Sequence, residues 1–109
     1  MICRVDRLEI RGISHATYCL GNIILHDNCT VAQEAYLCTG THDFQHPHLP
    51  LQTAPIVVEA GAFVGARAFI LPGVTLGAHC VVGAVSVVTK DVPPGVRVAG
   101  NPARVLSKA

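Results

Sequence analysis

A chain of 109 residues with a formal net charge of +1 is sized for one domain that buries a modest share of its surface. Its eight Lys and Arg residues are dispersed, which excludes an electrostatic argument for nucleic acid or an anionic membrane as partner. Half of the residues are apolar, but only two are Tyr, three are Phe and none is Trp. The core must therefore be built from Val, Ile, Leu, Ala and Cys, a set that suits a thin, tightly wound β structure better than a broad globular one.

Along the first twelve residues, Arg4, Asp6 and Arg7 stand where a leader peptide needs an apolar run. No stretch of the chain approaches the roughly 20 apolar residues that cross a membrane. Val5, Leu8 and Ile10 alternate loosely, so residues 1–12 are predicted as an irregular strand or cap. From Ile13 a period of six takes over: Ile13, Cys19, Leu25, Val31 and Leu37, with Thr17, Ile23, Cys29, Ala35 and Thr41 at the fifth position of each hexad. Asp43 to Pro55 interrupts it and holds three of the seven prolines. Proline removes ladder donors, so this segment is predicted as a loop protruding from the solenoid at about 43–55. The period resumes as Val58, Val64, Ile70, Leu76, Val82 and Val88, with Ala62, Ala68, Val74, Cys80, Ser86 and Val92 at the fifth positions. Pro93-Pro94-Gly95 marks a turn, Val96 to Ala99 a last short strand and Gly100 to Arg104 another turn. The solenoid is expected to span residues 13–106, with 107–109 as a tail. The odd set of five cysteines, Cys3, Cys19, Cys29, Cys38 and Cys80, has no CxxC spacing and reads as buried free thiols in a reducing cytoplasm.

The period has a direct physical meaning. Six residues make one short strand and one corner, three hexads make a triangular coil, and coils stack at the strand spacing of about 4.8 Å. The aliphatic residue points inward, and the fifth must be small enough to fit beside the same axis. Gly65, Gly77 and Gly83, at the second position, permit a tight corner, either because a side chain would clash or because φ is positive. The result is an all-β parallel coil; the period leaves its hand open. With so little to close either end, the coil is expected to oligomerise.

Leu37-Cys38-Thr39-Gly40-Thr41-His42-Asp43, Thr53-Ala54-Pro55-Ile56, Leu71-Pro72-Gly73-Val74-Thr75-Leu76-Gly77, Val88-Thr89-Lys90-Asp91-Val92-Pro93 and Ala99-Gly100-Asn101-Pro102-Ala103-Arg104 resemble the hexapeptide-repeat acetyltransferases. The branch they resemble is the colanic-acid-biosynthesis type, near the maltose and galactoside O-acetyltransferases. The resemblance implies a left-handed parallel β-helix and a homotrimer. It also implies active sites between subunits and acetyl-CoA lying along the sides of the coil.

Acyl transfer from a thioester to a hydroxyl needs a base for the acceptor, donors for the developing oxyanion, and a site that holds both substrates in line. The resemblance makes His42 the base, since an imidazole titrates at about 6.5 and is available near neutral pH. Asp43 either orients that imidazole or starts the loop. Ala66 and Ala84 match positions that contact the pantetheine arm of the cofactor, or are small because corners are small. Thr89 and Lys90 match the nucleotide end, and Arg104 is a second candidate for the phosphates, to which a guanidinium is suited; Lys90 and Arg104 are otherwise solvated surface. Phe63, His46 and Cys19 are candidates for the acceptor site; His46 and His48 flank Pro47 in the loop. No resident metal is expected. His15, His26 and His79 sit at corners and are expected to face solvent. The acceptor implied is a sugar or glycoconjugate hydroxyl that attacks acetyl-CoA directly. Two other classes compete. One is a non-catalytic trimeric scaffold. The other is a γ-type carbonic anhydrase, which would draw zinc ligands from His42, His46 and His79 across subunits.

Overall fold

A hexad that turns an aliphatic residue inward can repeat only if each coil seats its small fifth residue against the coil below. The computed structural model describes residues 3–5, 16–18 and 23–108, the first two stretches by backbone alone. Their strands are β1 (Cys3–Val5), β2 (Ala16–Tyr18), β3 (Ile23–Leu25), β4 (Thr30–Val31), β5 (Tyr36–Cys38), β6 (Gly40–His42), β7 (Leu51–Thr53) and β8 (Ile56–Val58). There follow β9 (Phe63–Val64), β10 (Phe69–Ile70), β11 (Thr75–Leu76), β12 (Val81–Val82), β13 (Val87–Val88), β14 (Val96–Gly100) and β15 (Ala103–Lys108). They form three faces. Sheet one is β1-β3-β8-β11, sheet two β4-β9-β12-β14-β15 and sheet three β2-β5-β10-β13; β6 and β7 form a separate hairpin. All pairings in the three faces are parallel except β14 with β15.

Burial follows the hexads. Leu25, Val31, Leu37, Val58, Val64, Ile70, Leu76, Val82 and Val88 are buried, as are Ile23, Cys29, Ala35, Ala62, Ala68, Val74, Cys80, Ser86 and Val92 at the fifth positions. Thr41 departs from this pattern. It is exposed because the chain has already left the coil at Gly40 to form the hairpin. The ladder is regular where it pairs residues 18 apart, Phe63 with Val81 and Phe69 with Val87. Across the hairpin the separation is 33, from Tyr36 to Phe69, so the excursion adds 15 residues and begins earlier than the proline-bearing segment. In the first coil the separation is 20, from Ala16 to Tyr36. This brings Thr17 alongside Leu37, a place that the six-residue count assigned to Cys19. Cys19 lies outside the described residues, as do Ile13 and His15. β1 pairs with β3 as a regular parallel strand within the segment expected to be an irregular cap.

The corners separate the two explanations for glycine. Positive φ falls on the fourth position of the hexad, at Asn28, Glu34, Gly61, Arg67, Gly73, His79 and Val85, not on the second. Second-position glycines answer to close approach instead: a Cβ on Gly65 would lie 2.7 Å from the backbone nitrogen of Ala84, and one on Gly77 2.5 Å from that of Pro94. His79 is exposed, with its imidazole over Gly61.

The last coil is short. Val81 pairs with Arg97, 16 residues on, and the coil makes up a missing acceptor with a side chain: the Thr75 amide donates to the Asp91 carboxylate at 2.8 Å. Asp91→Ala is expected to lower stability by about 1 kcal/mol, and Asp91→Asn by less, since the amide oxygen still accepts; urea melts of the two variants check this. The tail is a strand. β15 runs antiparallel to β14 as far as Lys108, covering that edge of sheet two beyond the expected end of the solenoid.

Burial pushes the Cys80 thiol from 9.0 up to about 11, opposed by its backbone hydrogen bond and helped slightly by Glu59. The unfolded chain therefore ionises first. The stabilisation is complete below about pH 9 and is lost as pH rises toward 11, on the order of 2 kcal/mol in all. Cys80→Ala, compared with the parent in melts at pH 8 and pH 11, should lack that part of the alkaline loss.

Candidate functional site

The hairpin leaves the corner between sheets three and one, and hydrogen bonds hold it in shape. The Ala54 amide donates to the Thr39 carbonyl at its base, Asp43 N–H to Pro50, His46 N–H to Asp43 and Leu49 N–H to His46. β6 ends on His42, whose partner across the hairpin is Leu51. Residues directly opposite in an antiparallel pair share a face, so the exposed Leu51 side chain flanks the imidazole.

The His42 ring has one nitrogen engaged. Nδ1 lies 2.8 Å from the Leu49 carbonyl oxygen. A carbonyl can only accept, so Nδ1 carries a proton, and in the neutral ring Nε2 is then the nitrogen with the lone pair. This is the tautomer that a general base needs. Leu49 itself sits at φ +48, an uncommon backbone for a leucine, at the residue whose carbonyl meets the ring. The Asp43 carboxylate is turned elsewhere: it accepts from the Gln45 amide at 3.1 Å, which is the geometry of a loop start. His46 accepts from the His48 amide through Nδ1 at 3.2 Å, and the two rings lie 5.6 Å apart. Among the described residues no three His, Cys, Asp or Glu side chains are grouped so as to hold a metal ion.

The other candidates fall into two groups. Thr89 and Lys90 stand on the same corner as the hairpin, exposed, two coils further along. With Ala103 and Val105 of β15 they line a cavity of about 120 Å³. Ala66 and Ala84 stand on the next corner, between sheets two and three, on successive coils, tied by the Val85 amide donating to the Ala66 carbonyl at 2.9 Å. Arg104 belongs with this second group. It pairs with Ala99 across β14–β15, and a Cβ on Gly83 would lie 3.0 Å from the Ala99 Cβ. Arg104 therefore shares the outer face that runs down to Ala84, and it lies between Ala103 and Val105 on the opposite side of its strand from Lys90. Sheet three separates the two groups, with Tyr36 and Phe69 stacked at 5.1 Å. Phe63 stands on sheet two, 42% exposed, between Thr30 and Val81.

Below the hairpin, Thr41, Gln52, Thr53, Ala54 and Pro72 enclose an open hollow of about 520 Å³. Its polar groups are hydroxyls and an amide, without charge. Leu49, Leu51 and this hollow were not found by sequence reasoning. A backbone carbonyl has no residue signature, and the pairing that puts Leu51 beside His42 depends on where the hairpin turns.

Comparison with known proteins agrees with this architecture. Residues 55–90 match the family described as the hexapeptide repeat of succinyl-transferase. A protein of Escherichia coli (strain K12) named as a colanic acid biosynthesis acetyltransferase is 40% identical over 89 residues, covering 82% of this chain and 49% of its own. The chain thus spans about half the length of that relative. Among solved structures, a hexapeptide-repeat acetyltransferase from Vibrio cholerae superposes with a TM-score of 0.81 at 33% identity, covering 87% of this chain and 56% of its own. A galactoside acetyltransferase in complex with coenzyme A also gives 0.81 at 33% identity, covering 86% and 48%. From its hexads, its three parallel faces and these matches, the chain belongs to the hexapeptide-repeat acetyltransferase family and has that family's left-handed parallel β-helix fold.

Proposed function

We propose that this chain is an acetyl-CoA-dependent O-acetyltransferase that acts on a sugar or glycoconjugate hydroxyl, as a cytoplasmic homotrimer. The observation that carries the reading is the His42 imidazole, exposed on a braced hairpin with Nδ1 spent on the Leu49 carbonyl and Nε2 left as acceptor. The uncharged hollow of Thr41, Gln52, Thr53 and Pro72 beside that hairpin suits a hydroxylated, neutral acceptor. Free thiols at Cys29, Cys38 and Cys80 accord with a reducing compartment.

The residues present fit coenzyme A. Ala66 and Ala84 stand one above the other on successive coils and add only methyl groups to that corner, so an arm could lie close to its backbone. Arg104 lies toward the end of that strip, where a guanidinium meets phosphate well. Acetyl-CoA supplies the acetyl group as an activated thioester. His42 Nε2 takes the proton of the acceptor hydroxyl as its oxygen bonds to the acetyl carbon, and that proton is then available to the departing thiolate. The split between the His42–Lys90 corner and the Ala66–Ala84–Arg104 corner supports a trimer: a cofactor on one copy's alanine corner would meet His42 of the next.

Calorimetric titration of the full chain with acetyl-CoA tests the reading. One saturable site per subunit is expected, weakened roughly tenfold by Arg104→Ala, the loss of about one charge-assisted contact. Absence of binding at millimolar ligand with the oligomer intact would refute it.

A further inference from the structure

Leu49 breaks two local rules at once. Its φ is +48, a backbone in which a leucine side chain is crowded. It also precedes Pro50, and a residue before proline is pushed toward extended backbone instead. The other non-glycine residues with positive φ among the described residues, Asn28, Glu34, Arg67, His79 and Val85, all stand at corners of the solenoid, where the hexad imposes it. Leu49 stands in the hairpin loop between β6 and β7, which no repeat constrains. Burial does not offset the cost, because its side chain is 53% exposed.

What the conformation secures lies in the main chain. The Leu49 amide donates to the His46 carbonyl at 3.0 Å, and the next carbonyl along, that of Pro50, accepts from the Asp43 amide at 3.0 Å. Between these two bonds lies the Leu49 carbonyl, 2.8 Å from Nδ1 of His42. It is thus held on both sides in the one place where it meets the ring. Strain of this kind, kept where its return is a bond to a reacting group, marks a functional role. We propose that Leu49 is a positioning residue for the acetyl transfer: its left-handed backbone aims the carbonyl that keeps a proton on Nδ1 of His42 and leaves Nε2 to the acceptor. Asp43 serves the same end through its amide and carbonyl, the latter accepting from His46 at 3.1 Å, while its carboxylate faces the turn. This rests on the reading of His42 as the base.

The test separates backbone from side chain. Asparagine and glycine tolerate positive φ but lack the leucine side chain; valine keeps an apolar side chain and fits positive φ worst. In the full chain, Leu49→Asn and Leu49→Gly should transfer acetyl within about threefold of the parent, whereas Leu49→Val should lose about 10–100-fold in kcat, the scale for displacing a catalytic group by about 1 Å. Its KM for acetyl-CoA should stay within about twofold, since only the base is disturbed. Nitrogen NMR of the histidine-labelled chain, with the His42 signals assigned from their loss in His42→Ala, reads the tautomer without turnover. Nδ1–H is expected in the parent, Leu49→Asn and Leu49→Gly, with a shift toward Nε2–H in Leu49→Val. Leu49 lies outside the buried core, so all three variants should keep the fold. Leu49→Val with the parent's kcat and tautomer would overturn the inference and leave the base reading intact. Equal losses in all three variants, with Nδ1–H unchanged, would also overturn it and give the role to the leucine side chain. A fully active His42→Ala would sink both readings.

Discussion

Replacing His42 with alanine is expected to cut acetyl transfer by about 10²–10⁴-fold, the range for removing a general base, while acetyl-CoA affinity stays unchanged. The expectation follows from the ring's two nitrogens having separate tasks. Nδ1 is anchored on the Leu49 carbonyl, and Nε2 is left to take a proton. His42→Asn sharpens the test, since the asparagine amide can donate to Leu49 in place of Nδ1 yet offers no comparable base. Both variants should be equally inactive against a panel of sugar acceptors, with product followed by mass rather than by thiol reagents that the chain's own cysteines would consume. An active His42→Asn beside an inactive His42→Ala would mean that the imidazole braces the hairpin and does no chemistry.

The second large effect is expected at glycines whose corners touch. Gly65→Ala should cost several kcal/mol, at or above the roughly 1–3 kcal/mol usual for overpacking, because the atoms it meets are backbone and cannot rotate away. Its Cβ would lie 2.7 Å from both the Ala84 nitrogen and the Val82 oxygen. Gly77→Ala belongs to the same class, with the Pro93–Pro94 backbone within 2.8 Å. Gly95→Ala is the control. Its Cβ would meet nothing within 4 Å, but φ is +70, so only the left-handed penalty of about 1–2 kcal/mol remains. Denaturant melts of the three variants should rank Gly65 and Gly77 well above Gly95. Equal losses at all three would show that the corners relax and that close approach is not what selects glycine there.

The presence of a loop around the proline-bearing segment was legible from the sequence, though not its earlier start at Gly40, and so were the inward residues from Leu25 to Leu37 and from Val58 to Val92. The first coil was not. Its ladder spans 20 residues, so counting by six misplaces Thr17, and only strand pairing reveals the two extra residues. The tail was equally hidden: Ala103 to Lys108 becomes a strand because β14 offers an open edge, not because its residues demand one. Asp43 illustrates a choice that sequence leaves open. A carboxylate next to a histidine can orient the ring or cap a turn, and the Gln45 amide claims it for the turn.

The sequence by itself determined the coil, its inward residues and the corner from which the loop departs, because a six-residue period in residue type repeats along the chain and can be read without knowing which coils stack. Tertiary structure alone decided the rest. It chose the His42 tautomer through a carbonyl seven residues away, set Arg104 and Lys90 on different faces, and gave the second-position glycines their reason in a coil 18 residues removed. Those are contacts of backbone groups and of residues distant along the chain. Every residue carries the same amide and carbonyl, so no residue letter announces which of them will meet.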